Sequence, residues 1–115
     1  MAKENIILIK SFDFSIEVIK LYSVLIKKNE YVLSKQLLKA GTSIGANVEE
    51  AVGGISKKDF TAKMRIALKE ARETRYWLRL LDRSQLVKYD YKTYLNRIEN
   101  IVNILTKIVK TSQGE

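Results

Sequence analysis

The stretch TSIGANVEEAVGGISKKDF, residues 42–60, collects the side chains most suggestive of chemistry. Ser43 follows Lys39 by one helical turn, the arrangement of a dyad in which an amine activates a hydroxyl. No nucleophile elbow or oxyanion-hole signal accompanies the pair. Glu49 and Glu50 project about 100° apart on a helix and do not easily share one metal. Glu70 and Glu73, three apart, lie on one face. Carboxylate-bridged metal bundles add a histidine one turn from a glutamate, and this chain has no histidine. Salt bridges to Lys69, Arg72 or other arginines are the expected use of these acids. A phosphate loop needs glycines ahead of a helix and a lysine followed by serine or threonine. Gly41 and Gly45 instead stand four apart inside a helical pattern, where small residues let another backbone approach. The corner GGISKK, 53–58, places the free N–H groups of a helix start beside Lys57 and Lys58, an arrangement that can hold a phosphate or serve only as a corner. Ser43 and Asn47, one turn apart beside the apolar stripe, are expected to be partly buried and hydrogen-bonded, fixing helix register.

Composition narrows the classes further. The 115 residues contain no cysteine, so disulfides and thiolate chemistry are excluded. Without histidine the commonest general base is missing, and with cysteine also absent so are the usual zinc ligands. No cofactor motif is recognisable. There is no proline and glycine numbers five, a composition suited to long helices. NIILI, 5–9, is too short for a signal peptide and lacks a cleavage site, and no apolar run approaches a membrane span. A cytoplasmic, soluble protein without membrane attachment is expected. The net charge of +8 makes polyanions plausible partners.

Four amphipathic segments must position these residues, over about 11–28, 31–53, 56–83 and 90–111, in one domain spanning 1–115. In the first, Phe12, Ile16, Ile19 and Ile26 mark the expected inner stripe, beside Tyr22 and Leu25. Residues 5–9 are β-prone and read as an extended arm. In the second, Leu33, Leu37, Ala40, Ile44, Val48 and Ala51 recur at three and four, and Gly53-Gly54 ends the helix. The third starts at Ser56 as N-cap with Asp59 three residues later, close to a capping box. The fourth starts near Asp90 and carries Tyr91, Leu95, Ile98, Val102, Leu105 and Val109. The tail TSQGE, 111–115, is expected to fray. Short breaks force antiparallel neighbours, so the expected fold is all-α, an up-down-up-down four-helix bundle.

Residues 34–81, with TSIGANVEEA, the serine–lysine corner and IALKEARETRYWLRLL, closely resemble the bacterial four-helix-bundle proteins encoded by intervening sequences in 23S ribosomal RNA genes. The first and last helices match in length and pattern rather than in motifs. The resemblance implies an up-down bundle assembled as a ring-shaped homopentamer, with no enzymatic activity. It names no biological role. The accessory variability proteins of diversity-generating retroelements share that fold, are basic, and bind nucleic acid and a reverse transcriptase, an analogy of fold and charge alone.

The third segment carries a polyanion-like surface on its own account. At 100° per residue, Arg65, Lys69, Arg72, Arg75, Arg79 and Arg83 fall within an arc of about 120°. Phe60, Met64, Ala67, Ala71, Leu78 and Leu81 lie roughly opposite and should face the core. Residues 57–83 hold nine basic and four acidic side chains, a net +5. Tyr76 lies within the arc. Trp77 points nearer the core, as a packing residue. Nucleic-acid contact, a subunit interface and a solvated face laced with salt bridges are the three uses open to such an arc. Lys57, Lys58, Lys107 and Lys110 are further phosphate candidates. The reading is a non-enzymatic, basic, oligomeric bundle binding RNA or DNA through backbone phosphates, with little sequence specificity. The competing reading is a scaffold module whose oligomer engages a protein partner without nucleic acid.

Overall fold

The computed structural model describes residues 3–114, with side chains from Asn5. The described residues form four helices and no strand: α1 Lys3–Lys27, α2 Leu33–Val52, α3 Lys57–Ser84 and α4 Lys92–Ser112. Three of the four apolar faces follow the sequence pattern. In α2, Leu37, Ala40, Ile44, Val48 and Ala51 are buried. In α3, Met64, Ala67, Leu68, Ala71, Leu78 and Leu81 are buried. In α4, Ile98, Ile101, Val102, Leu105, Ile108 and Val109 are buried. These faces converge with α1 on one hydrophobic cluster.

The α1 helix departs from expectation twice. Residues 5–9 are helical, and Ile7 is fully buried rather than part of an extended arm. The isoleucines' modest helix penalty is outweighed by the burial of Ile7 beside the core. The expected inner stripe is also misplaced. Phe12, Ile16 and Ile19 are exposed and Ile26 is half-buried, while Ile7, Ser11, Phe14, Val18, Leu21 and Leu25 face inward. Both sets have helical spacing, so periodicity alone does not choose between them.

The helix ends are built from local hydrogen bonds. Glu30, nearly buried, accepts from the backbone N–H groups of Val32, Leu33 and Ser34 at 2.9, 3.0 and 2.6 Å. It thereby satisfies the orphan donors of α2 that a capping serine or aspartate ordinarily serves. The Ser56 hydroxyl accepts from the Asp59 N–H at 3.0 Å and caps α3, as predicted. The Asp90 carboxylate accepts from the Lys92 N–H at 3.0 Å. Gln85 closes α3 in the left-handed conformation, at φ 48°. The α4 helix runs through Ser112, whose hydroxyl lies 2.7 Å from that of Thr61 on α3. The expected fraying at 111–115 therefore does not hold for Thr111 and Ser112, which are helical, and Glu115 lies outside the described residues.

The α1 helix packs closely on α2 and α4, and α3 on α2 and α4, whereas α1 and α3 stand diagonally, with no close backbone approach among the described residues. The pairings Thr61–Ser112 and Arg75–Glu99 are those that oppositely directed neighbours would form. The molecule extends 44 × 22 × 21 Å. Gly41 and Gly45 allow the close crossing of α2 on α1. A Cβ on Gly41 would stand 2.8 Å from both methyl carbons of Val18, and one on Gly45 would stand 3.3 Å from the Ser11 carbonyl oxygen.

Candidate nucleic-acid interface

The α3 helix, 28 residues long, carries its apolar residues on one face, which the core buries, and this fixes where the basic arc points. Arg65, Lys69, Arg72, Arg79 and Arg83 are exposed. Arg75 is half-buried at the arc's edge, where it donates to the Glu99 carboxylate of α4 at 3.1 Å. That bond draws one cation out of the row and turns it to holding α3 against α4. The three ion pairs among the described residues are Arg75–Glu99, Lys63–Glu50 and Arg97–Glu17. None of them uses Lys57, Lys58, Arg65, Lys69, Arg72, Arg79 or Arg83.

Two shallow grooves run between the first half of α3 and the end of α4. Arg65, Lys69 and Arg72 line one with Leu68, Val109 and Gln113. Lys57, Lys58 and Arg65 line the other with Thr61, Ala62 and Ser112. Arg65 belongs to both, so five cations share a continuous strip. Arg65, Lys69 and Arg72 follow one another at about one turn, roughly 5 to 6 Å along the axis, whereas Lys58 stands about two turns before Arg65 and adjoins Lys57. Such a row can track successive phosphates without reading bases. Gln113 and Ser112 add neutral hydrogen-bonding groups from the chain end, where fraying was expected. Lys107 and Lys110 are exposed on α4 and line neither groove.

The corner before α3 is less suited to an anion than its lysines suggest. The Asp59 carboxylate sits against Gly54, 2.6 Å from where a Cβ would stand there, and already supplies negative charge at this helix start. The remaining polar candidates are engaged locally. The Ser43 hydroxyl donates to the Lys39 carbonyl at 2.6 Å, and the Asn47 amide donates to the Ser43 carbonyl at 2.8 Å. Both side chains are half-buried, and these bonds lie within α2 itself. Trp77 is half-buried against the core and donates from its indole nitrogen to Glu73 at 3.1 Å. Tyr76, exposed within the arc, meets the Trp77 ring edge-on at 5.2 Å between centroids. Among the described residues, no buried side-chain nitrogen or oxygen lacks a hydrogen-bond partner. No described helix is long and apolar enough to cross a membrane.

At the opposite end of α3, Tyr91 is fully buried and donates to the Val87 carbonyl at 2.9 Å. Burial, and then the nearby Glu30, Asp82 and Tyr89, push its phenol up to about 12. Tyr94 is also pushed up to about 12, first by burial and then by Tyr89.

The comparisons with known proteins agree with the fold. No curated protein matches the chain. A solved structure from Bacteroides thetaiotaomicron, a protein of unknown function from the S23 ribosomal protein family, is similar at 42% identity and a TM-score of 0.89. The match covers 95% of this chain and 99% of that one. The family model of the 23S rRNA-intervening sequence proteins matches residues 3–107, which takes in all of α1, α2 and α3 and most of α4, and the chain belongs to that family.

Proposed function

We propose that this chain is a non-enzymatic, cytoplasmic bundle that self-associates and binds RNA or DNA through backbone phosphates, with little sequence specificity. The helices are read as running up-down-up-down, and the assembly as a ring of five, as the resemblance implies. One observation carries the nucleic-acid reading: Lys57, Lys58, Arg65, Lys69 and Arg72 line adjoining grooves along α3, outside the ion pairs that hold the helices together. Cations used only for solubility need not line up along one groove. The acids of α3 are partly engaged elsewhere, Glu73 by Trp77. Base-reading chemistry has little support, because Tyr76 is the arc's exposed aromatic and its ring rests on Trp77.

A salt series tests the reading. Binding of mixed-sequence RNA and DNA should fall steeply with salt as displaced counterions are returned, with similar slopes across sequences. Undetectable binding at 50 mM salt would instead favour the scaffold reading, in which the oligomer engages a protein partner.

A further inference from the structure

A groove of about 430 Å³ opens along the seam where α1 meets α4, the loosest of the four helix pairings in the bundle. Lys10, Asp13, Phe14 and Glu17 line it from one face of α1, at offsets of three, four and seven residues. Arg97, Asn100 and Ile101 line it from α4, at offsets of three and four. Phe14 and Ile101 belong to the core and close the floor, and the half-exposed Ile16 forms a lip. No residue of the basic α3 helix takes part.

We infer that this groove is a binding site for a small zwitterion with an apolar body, of the class of the aliphatic α-amino acids. The inference is independent of the nucleic-acid reading, which uses another face of the bundle. Three observations favour this ligand chemistry. First, the lining is neutral on a chain of net charge +8: Lys10 and Arg97 balance Asp13 and Glu17. A polyphosphate would meet two carboxylates there and a polyamine two cations, whereas a ligand with one charge of each sign complements both.

Second, the four charges divide into two sets. Arg97 and Glu17 pair across the seam and hold α1 to α4. None of the ion pairs among the described residues uses Lys10 or Asp13. These two stand three residues apart on α1 with the lysine first, the less favourable order for pairing along a helix. Lys10 is thus available to a carboxylate and Asp13 to an ammonium group. The Asn100 amide adds a donor and an acceptor from the opposite wall. Third, the volume lies near the lower end of the roughly 300–1,000 Å³ usual for small-molecule sites. Ile16, Ile101 and Phe14 offer carbon to an aliphatic side chain. A wholly apolar ligand would instead take Lys10 and Asp13 out of water without giving either a partner.

The test is a titration of the full chain, labelled at its isoleucine methyl groups, with L-leucine. The Ile16 and Ile101 resonances should shift saturably, and that of Ile55, at the exposed corner between α2 and α3, should not. N-acetyl-leucine lacks the ammonium group and leucinamide the carboxylate, and each should bind about tenfold more weakly or worse. Asp13→Asn and Lys10→Gln, both at exposed positions, should weaken leucine binding to the same degree with circular dichroism unchanged. Glutamine at Arg65, Lys69 and Arg72 should leave it unaltered. No saturable shift up to about 10 mM leucine would overturn the inference. Equal binding of leucine and both analogues would overturn it, as would pyrophosphate or spermidine moving the same methyl groups at lower concentration than leucine. Wild-type affinity in both variants would overturn it too. Should a variant lose helicity, the two analogues decide the matter on the wild type alone.

Discussion

Replacing Arg65, Lys69 and Arg72 together by glutamine removes the three cations of the groove that Val109 and Gln113 help to line. All three are exposed, and none belongs to an ion pair among the described residues, so fold and assembly should survive. Arg75 is left in place, because losing its bond to Glu99 would disturb the α3–α4 packing as well as the charge. If each side chain neutralises one phosphate, the slope of log affinity against log salt falls by about 0.7 per contact on single strands and about 0.9 on duplex DNA. Three contacts give a change of roughly 2 to 3. Between 50 and 200 mM salt, that makes the variant's deficit shrink by roughly 20- to 40-fold. Fluorescence anisotropy with labelled RNA and DNA of several sequences measures it, with sedimentation on the same samples. A second variant, glutamine at Lys35, Lys39 and Lys92, removes three exposed charges away from the grooves. Equal slope losses in the two variants would refute the groove as a site and leave only net charge. An unchanged slope in the first would refute it outright.

Three further outcomes are expected from the packing. Gly41→Ala should destabilise the fold by about 1–2 kcal/mol despite alanine's better helix propensity, because its Cβ meets the stiff, buried Val18. Chemical denaturation should show Val18→Ala partly rescuing it, and a stabilised Gly41→Ala would mean that α1 and α2 cross less closely. Glu30→Ala should cost about 2–3 kcal/mol by stranding three backbone N–H groups at the start of α2, read by urea unfolding at fixed protein concentration. Tyr91 and Tyr94 make stability fall between pH 10 and 12. There the unfolded phenols lose protons that the folded ones, pushed up to about 12, retain, so the stabilisation is complete below 10 and is lost above it. Tyr94→Phe should flatten part of that fall in thermal melts, and an unaltered pH profile would reject the assignment.

What could be read from the sequence depended on how many answers each pattern allowed. The α2, α3 and α4 segments each offer one apolar face, so the buried sets of Leu37 to Ala51, Met64 to Leu81 and Ile98 to Val109 follow from spacing. The Ser56 cap was legible because serine followed three residues later by aspartate is a local chemical pattern. The Glu30 cap was not, since a glutamate in KKNE looks like any polar residue until the chain folds its carboxylate back onto three amides. The basic arc was visible as a periodicity, but its division was not. Which arginine turns to Glu99, and which cations share grooves with α4, depends on the rotation of α3 against a helix 24 residues away at Arg75–Glu99 and farther along the grooves.

The α1 misreading has a physical content of its own. A helix with apolar residues on opposite faces satisfies a bundle with only one of them, and burial alone cannot explain why the other exists. Ile9, Phe12, Ile16 and Ile19 contribute little to the isolated fold and expose apolar surface at some risk of nonspecific association. The other three helices show no comparable row. Polar residues at these four positions would leave the inward face of α1 unchanged, so the fold by itself does not require the stripe. Its spacing matches a helical seam, and its mixed-charge rim lies on the helix diagonal to the basic strip. On the proposed reading, one bundle would separate two demands that conflict on a single surface: apolar contact between copies, and cationic contact with a polyanion.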